Sequence, residues 1–153
     1  MEPAHSPAPA AASPRAGLTH QIRAFLERPL VTSLATVDAD GGPRQAVIWY
    51  RLDADDTILV NARADRRWPA NLRREGRAAF SVCDPGDPFS WVGLIGRVIE
   101  IVDDLERARG DIVALAHRYH DDQPDPADIA MFRTQQRVSF RISIDRVHDH
   151  LED

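Results

Sequence analysis

"VTSLATVDADGGPRQAVIWYRLDADDTILVN", residues 31–61, is where the chain changes period. Three β-rich runs are separated by "DADGG" and "DADD", Asp/Gly segments of the kind that reverse a chain tightly. The middle run sets Ala46, Ile48, Tyr50 and Leu52 against Gln45, Val47, Trp49 and Arg51, the two-residue period of a strand. The stretch reads as an antiparallel meander.

Working outward, further strands are expected at "RAAFSVC" (77–83) and "FSWVGLIGRVIEIV" (89–102). Gly93 and Gly96 inside the latter point to a bend or a close backbone approach. The last strand, "RVSFRISID" (137–145), alternates Val138, Phe140, Ile142 and Ile144 with Arg137, Ser139, Arg141 and Ser143, one face buried and the other wet. Helices are expected over 18–27, from Pro69 to about Gly76, over 103–119, and as a turn at 127–133. Six strands, mostly hairpin-connected, escape exposed edges most simply by closing into a barrel, so the fold class is mainly β with peripheral helices.

Residues 1–16, "MEPAHSPAPAAASPRA", bury almost nothing and are expected to be a disordered tail, not a signal peptide, ahead of a single domain over 17–153. One cysteine, Cys83, excludes an internal disulfide and fits a reducing, cytoplasmic compartment. No apolar run approaches bilayer length, and a net charge of −5 opposes broad binding to nucleic acid or anionic membranes. All 19 basic residues are arginine. That excludes a lysine Schiff base, a phosphate-binding lysine and a lysine general base, leaving cations that clamp anions but do not shuttle protons.

"NARADRRWPANLRR", residues 61–74, concentrates five of those arginines. Arg73 and Arg74 fall toward a helix C-terminus, where they complement the dipole. Arg63, Arg66 and Arg67 precede the helix at its positive end, an arrangement that favours a phosphate between them. Read from this stretch alone, they either hold a phosphate or pair with Asp65 and nearby acids in a solvated loop. His117 and His120 stand three apart, but no third clustered ligand accompanies them and no metal is expected. No nucleophile elbow, glycine-rich dinucleotide loop or Ser/His/Asp arrangement is legible.

Together, "LATVDADGGPRQAVIWY", "ILVNARADRRWPANLRREGRAAFSV", "DPGDPFSWVGLIGRVIEIVDD" and "RVSFRISIDRVH" resemble the pyridoxamine 5′-phosphate oxidase-like split-barrel proteins that bind flavins or deazaflavins. Within them the chain is most similar to a small actinobacterial subgroup dependent on coenzyme F420. The resemblance implies a six-stranded antiparallel split barrel, acting as a homodimer on a small-molecule substrate, with cofactor grooves at the subunit interface. It implies that Ala46, Val47, Ile48 and Trp49 face the ring, that Asn61, Ala62 and Arg63 line the ribityl side, and that Arg66, Arg67 and the helix start near Asn71 hold the phosphate. Trp91 and Gly93 would come from the partner subunit. Many members carry a lysine where this chain has Trp68, so the phosphate charge falls to Arg63, Arg66 and Arg67.

A ring cofactor brings its own hydride chemistry, so no catalytic side chain is expected; Tyr50 is the candidate proton source if it points into the cleft. The leading expectation is an oxidoreductase using coenzyme F420. The alternatives are the same fold using FMN, or a flavin- or haem-binding module without turnover.

Overall fold

The computed structural model describes residues 17–151, so the expected tail over 1–16 lies outside the described residues. Along them run α1 (His20–Leu26), β1 (Thr32–Val37), β2 (Pro43–Ile48), β3 (Arg51–Leu52), β4 (Thr57–Arg63) and α2 (Arg67–Arg74). Then come β5 (Arg77–Asp84), β6 (Asp87–Val102), α3 (Leu105–Tyr119), α4 (Pro126–Phe132) and β7 (Arg137–His150). All seven strands join one antiparallel sheet in the order β2-β1-β5-β6-β7-β4-β3.

The count is seven and not the expected six because the 43–52 run breaks at Trp49–Tyr50. There the Tyr50 N–H donates to Tyr119 Oη at 3.1 Å, and the Tyr50 carbonyl accepts from Tyr119 and from Arg118 Nε, both at 3.1 Å. Groups that would have continued the ladder are taken by α3. The break has a topological result. β2 ends at one edge of the sheet, and β3 begins at the other. The three Cα–Cα steps from Ile48 to Arg51 span at most about 11 Å, so these ends of the two edges must lie near each other. The sheet curls into a barrel left unclosed along one seam, which makes this an antiparallel split barrel with helices outside it.

Inside the barrel, Leu34, Ile58, Val60, Phe80, Val82, Val92, Leu94, Phe140, Ile142 and Ile144 form the core, closed by Ile22, Phe25 and Leu26 of α1 and Leu72 of α2. A smaller cluster joins Ile112, Leu115 and Ala116 of α3 to Phe132 of α4, with Trp49 and Tyr119 packed on it. The expectation of a wet face on β7 is corrected at Ser139 and Ser143, which are also buried. α3 lies over Ser139, whose hydroxyl donates to Asp111 at 2.8 Å.

Gly96 is the close approach expected from its place in the strand. A Cβ there would sit 1.9 Å from the Ser143 carbonyl oxygen, next to a register shift between Ile95 and Gly96. Among the described residues, no helix is long and apolar enough to cross a membrane.

Candidate functional site

β4 carries the 61–74 stretch out of the barrel and into α2. Ala64 N–H still reaches Gln136 O at 2.9 Å, and Arg66 N–H closes a turn onto Arg63 O at 3.2 Å. α2 starts at Arg67 and not at Pro69, which occupies its third position. Proline is tolerated there because first-turn N–H groups have no intrahelical acceptor. Arg66 is the N-cap, and no side chain caps the helix.

The five arginines divide differently from the expected two and three, because Arg63 is taken by an acid. Arg73 pairs with Asp103, and Arg74 donates to the Val37 carbonyl and to Asn71 Oδ1. Arg63 pairs with Asp65 at 2.9 Å. The side chains of Arg66 and Arg67 are exposed and, among the described residues, make no hydrogen bond or ion pair. Trp68 turns inward to pack on the core, its ring 6.4 Å from that of Phe140.

Arg67 borders a hollow of about 370 Å³ shared with Asp38, Ala39, Asp40, Ala70, Asn71 and Arg74. Asn71 is buried and fully engaged: its amide donates to Thr36 Oγ1 at 3.0 Å and Asp38 Oδ1 at 2.8 Å. Asp38 also receives both arms of Arg44, at 2.7 and 3.0 Å. The Arg44 bonds, then the Asn71 bond, hold its carboxyl down at about 2.

A second hollow, of about 250 Å³, lies at the seam and is lined by Val31, Val47, Ile48, Trp49, Asn61, Ile112 and Leu115. Val47 is 73% exposed, whereas Asn61 is buried with its amide donating to Ala108 O at 2.9 Å and Ser139 Oγ at 2.8 Å. Trp49 is fixed by stacking on Tyr119, ring centroids 5.0 Å apart. Both walls of the seam present free backbone. β2 pairs only with β1, and β3 covers β4 no further than Leu59, leaving Val60 to Arg63 uncovered on that side.

The structure therefore brings Val47, Ile48, Trp49 and Asn61 to one hollow, and Arg67 and Asn71 to another. Ala46 is half-buried opposite Leu34, and Ala62 is buried in the barrel, so Ala62 has only backbone to offer a ligand. Arg63 lines a third hollow with Asp65, Gln135 and Gln136. Trp91 stands apart on β6, stacked on His150 at 4.2 Å.

Tyr50 is corrected as a proton source. Its hydroxyl is buried and donates to Leu26 O at 2.8 Å, and burial raises its pKa well above the phenolic range. Sequence reasoning missed Arg118, Tyr119 and Arg137. Arg118 gathers the carbonyls of Leu26, Glu27, Arg28 and Tyr50, holding α1 to the Trp49–Tyr50 crossing. A basic and an aromatic residue ending an amphipathic helix were the only signal available. Among the described residues no three His, Cys, Asp or Glu side chains gather as metal ligands.

The family description "pyridoxamine 5′-phosphate oxidase" matches residues 18–151. No curated protein matches the chain. Among solved structures, an F420 reductase is 28% identical with a TM-score of 0.71, covering 86% of this chain and 98% of its own. A conserved hypothetical protein of Mycobacterium tuberculosis is 26% identical with a TM-score of 0.69, covering 94% and 91%. A HupZ protein of Group A Streptococcus, 18% identical with a TM-score of 0.64 over 87% and 94%, shares the fold.

Proposed function

The chain belongs to the pyridoxamine 5′-phosphate oxidase family, and from that premise we propose that it is a flavin-type oxidoreductase that uses coenzyme F420 on a conjugated small-molecule substrate. The observation that carries the reading is the pair of exposed, unpaired arginines, Arg66 and Arg67, at the uncapped start of α2. β4 delivers them directly from the seam that Asn61 lines. Guanidinium groups gathered at a positive helix end call for an anion. An uncapped first turn with free guanidiniums is the donor set a phosphate-bearing cofactor requires, so the residues fit the group. The similarity to an F420 reductase supports the deazaflavin over other ring cofactors.

In this reading Arg66, Arg67 and the first turn of α2 hold the phosphate. The backbone of Ala46, Val47, Ile48 and Trp49 runs along the ring through the unpaired edge of β2. The uncovered edge of β4 at Asn61, Ala62 and Arg63 follows the ribityl chain. Val47, Trp49, Ile112 and Leu115 keep water from the seam, while Asn61 holds its side chain against α3. When bound, the deazaflavin supplies the hydride chemistry, and the protein's part is to bind, orient and dry the site. With Tyr50 sealed in the core, the substrate's proton comes from solvent.

A second copy completes the site. The barrel face turned away from the core carries Gln45 and Val47 of β2, Ala35 of β1, Ala79 of β5, and Trp91 and Ile95 of β6. Ala35, Val37, Pro43, Ala79 and Ile95 line an apolar hollow of about 220 Å³ on it. A self-complementary face of this kind suits a twofold dimer, which would carry Trp91 toward the partner's seam.

Titration of the purified protein with coenzyme F420 and with FMN tests the reading. Saturable binding of F420 is expected, and FMN bound in its place would transfer the site to the flavin. A folded protein that binds neither overturns it. Replacing Arg66 and Arg67 by alanine should weaken binding by about 1.5–3 kcal/mol for each lost charge-assisted contact. Unchanged affinity in the double variant would move the phosphate elsewhere.

A further inference from the structure

The hollow at the start of α2 brings two acids and two arginines, Asp38, Asp40, Arg67 and Arg74, beside Asn71. Such a set would ordinarily pair off, yet the Arg67 side chain makes no hydrogen bond or ion pair among the described residues. Each of its charged neighbours is engaged elsewhere. Arg74 donates to the Val37 carbonyl and to Asn71 Oδ1. Asp40 accepts from Gly42 N–H at 2.8 Å, within its own turn. Asp38 accepts both arms of Arg44, Nε at 2.7 Å and Nη2 at 3.0 Å, and the Asn71 amide at 2.8 Å. Arg44 is not part of the lining. It stands on β2 across the hairpin from Asp38, and the turn fixes the pair. Asp38 N–H donates to Gly42 O at 2.8 Å, and Gly41 N–H, at a φ of +87°, donates to Asp38 O at 2.9 Å.

We propose that Arg44 is a positioning residue for the anion site at α2: it occupies the Asp38 carboxylate and so keeps Arg67 free to take a phosphate. The proposal rests on the reading of Arg66, Arg67 and the first turn of α2 as the phosphate site. An oxygen is needed at position 38, because the Asn71 amide is buried and an unmet buried donor is costly. The carboxylate that anchors α2 in this way is also the natural rival of a phosphate for Arg67, whose charge is felt at Asp38. A bidentate arginine resolves the conflict. A fork that meets both carboxylate oxygens neutralises the group and fills the positions a second guanidinium would seek. Local geometry gives Arg44 the first claim: it lies six residues from Asp38 on the same hairpin, whereas Arg67 comes from another element.

Two double-variant cycles on the full chain test the proposal. The first reads binding, by titration with coenzyme F420 and with FMN. Arg44→Gln should weaken the binding seen in the parent about tenfold, the loss of one charge-assisted contact. Adding Asp38→Asn, which keeps an acceptor for Asn71 but removes the charge, should restore it. A merely structural role for Arg44 gives the opposite result, since the second substitution then repairs nothing. Binding as weak in the double variant as in Arg44→Gln overturns the proposal, as does Arg44→Gln binding like the parent. The second cycle needs no ligand. Arg67→Gln should leave the urea midpoint of the parent unchanged but lower that of Arg44→Gln, because only there does Asp38 turn to Arg67. The same effect of Arg67→Gln in both backgrounds overturns the proposal too. If the folded parent binds neither cofactor, the cofactor reading ends, and the second cycle still decides whether Arg44 holds Asp38 off Arg67.

Discussion

At Gly96 the absence of one methyl group lets β6 and β7 approach. An added Cβ would meet the Ser143 carbonyl far inside contact distance, at 1.9 Å, and a backbone oxygen locked in a ladder does not rotate away. Gly96→Ala should therefore destabilise the fold by about 1–3 kcal/mol, the cost of overpacking, as read in urea unfolding. A midpoint unchanged from the parent would mean that the ladder shifts freely there. Tyr119 works at the same scale in the opposite sense, by supplying contacts. Its hydroxyl accepts from Tyr50 N–H and shares its one proton between Leu30 O and Tyr50 O, so it stands in for a strand neighbour. The sequence showed Gly96 as a close approach because a glycine inside a long β run has few other meanings. It could not show what Tyr119 does, since the partner lies 69 residues away and a tyrosine on a helix face looks like core.

α2 and the β1–β2 hairpin are tied together through one carboxylate. Asp38 accepts from Arg44 on β2 and from Asn71 on α2, while Arg74 reaches the Val37 carbonyl. Because the fold depresses the Asp38 pKa from 3.8 to about 2, the carboxylate contributes stability above 3.8 that is lost as pH falls toward 2. Melting temperatures followed by circular dichroism should drop across that window, and Asp38→Asn should flatten the drop. An identical acid slope in the variant would assign it to other carboxylates. Element boundaries were legible to the extent that their causes are local. α3 was expected over 103–119 and α4 only as a turn over 127–133, and Asp104 and Asp125 cap them. α2 was misplaced by two residues because proline at the third position is as compatible with a helix start as proline at the first. β3 was invisible as a separate strand, since "AVIWYRL" alternates without interruption and the break comes from α3.

At the scale of the whole molecule, alternation and hairpin turns made the antiparallel barrel legible, but not which edges meet. That depends on pairings such as β4 with β7 and on the crossing at Trp49–Tyr50, neither of which leaves a local mark. The same limit hid Arg137, which reads as a solvent-facing residue until its partner across the ladder is known to be Arg63. The outward sheet face leads to a prediction of its own. Ile95→Glu, at a site 39% exposed in the single chain, should convert the proposed dimer to a monomer in light scattering while circular dichroism stays unchanged. A dimer that survives the charge would place the contact on another face. The crossing itself has a further consequence. Since β2 and β3 are joined by two residues, the walls of the seam are tethered covalently at one end, and the Arg118 and Tyr119 bonds pin that tether. On the proposed cofactor reading that tether acts as a gauge, setting the width of the gap at one end to suit a thin planar guest. Lengthening the crossing by a few glycines would be expected to relax the gauge and broaden what the protein admits before it weakens the barrel.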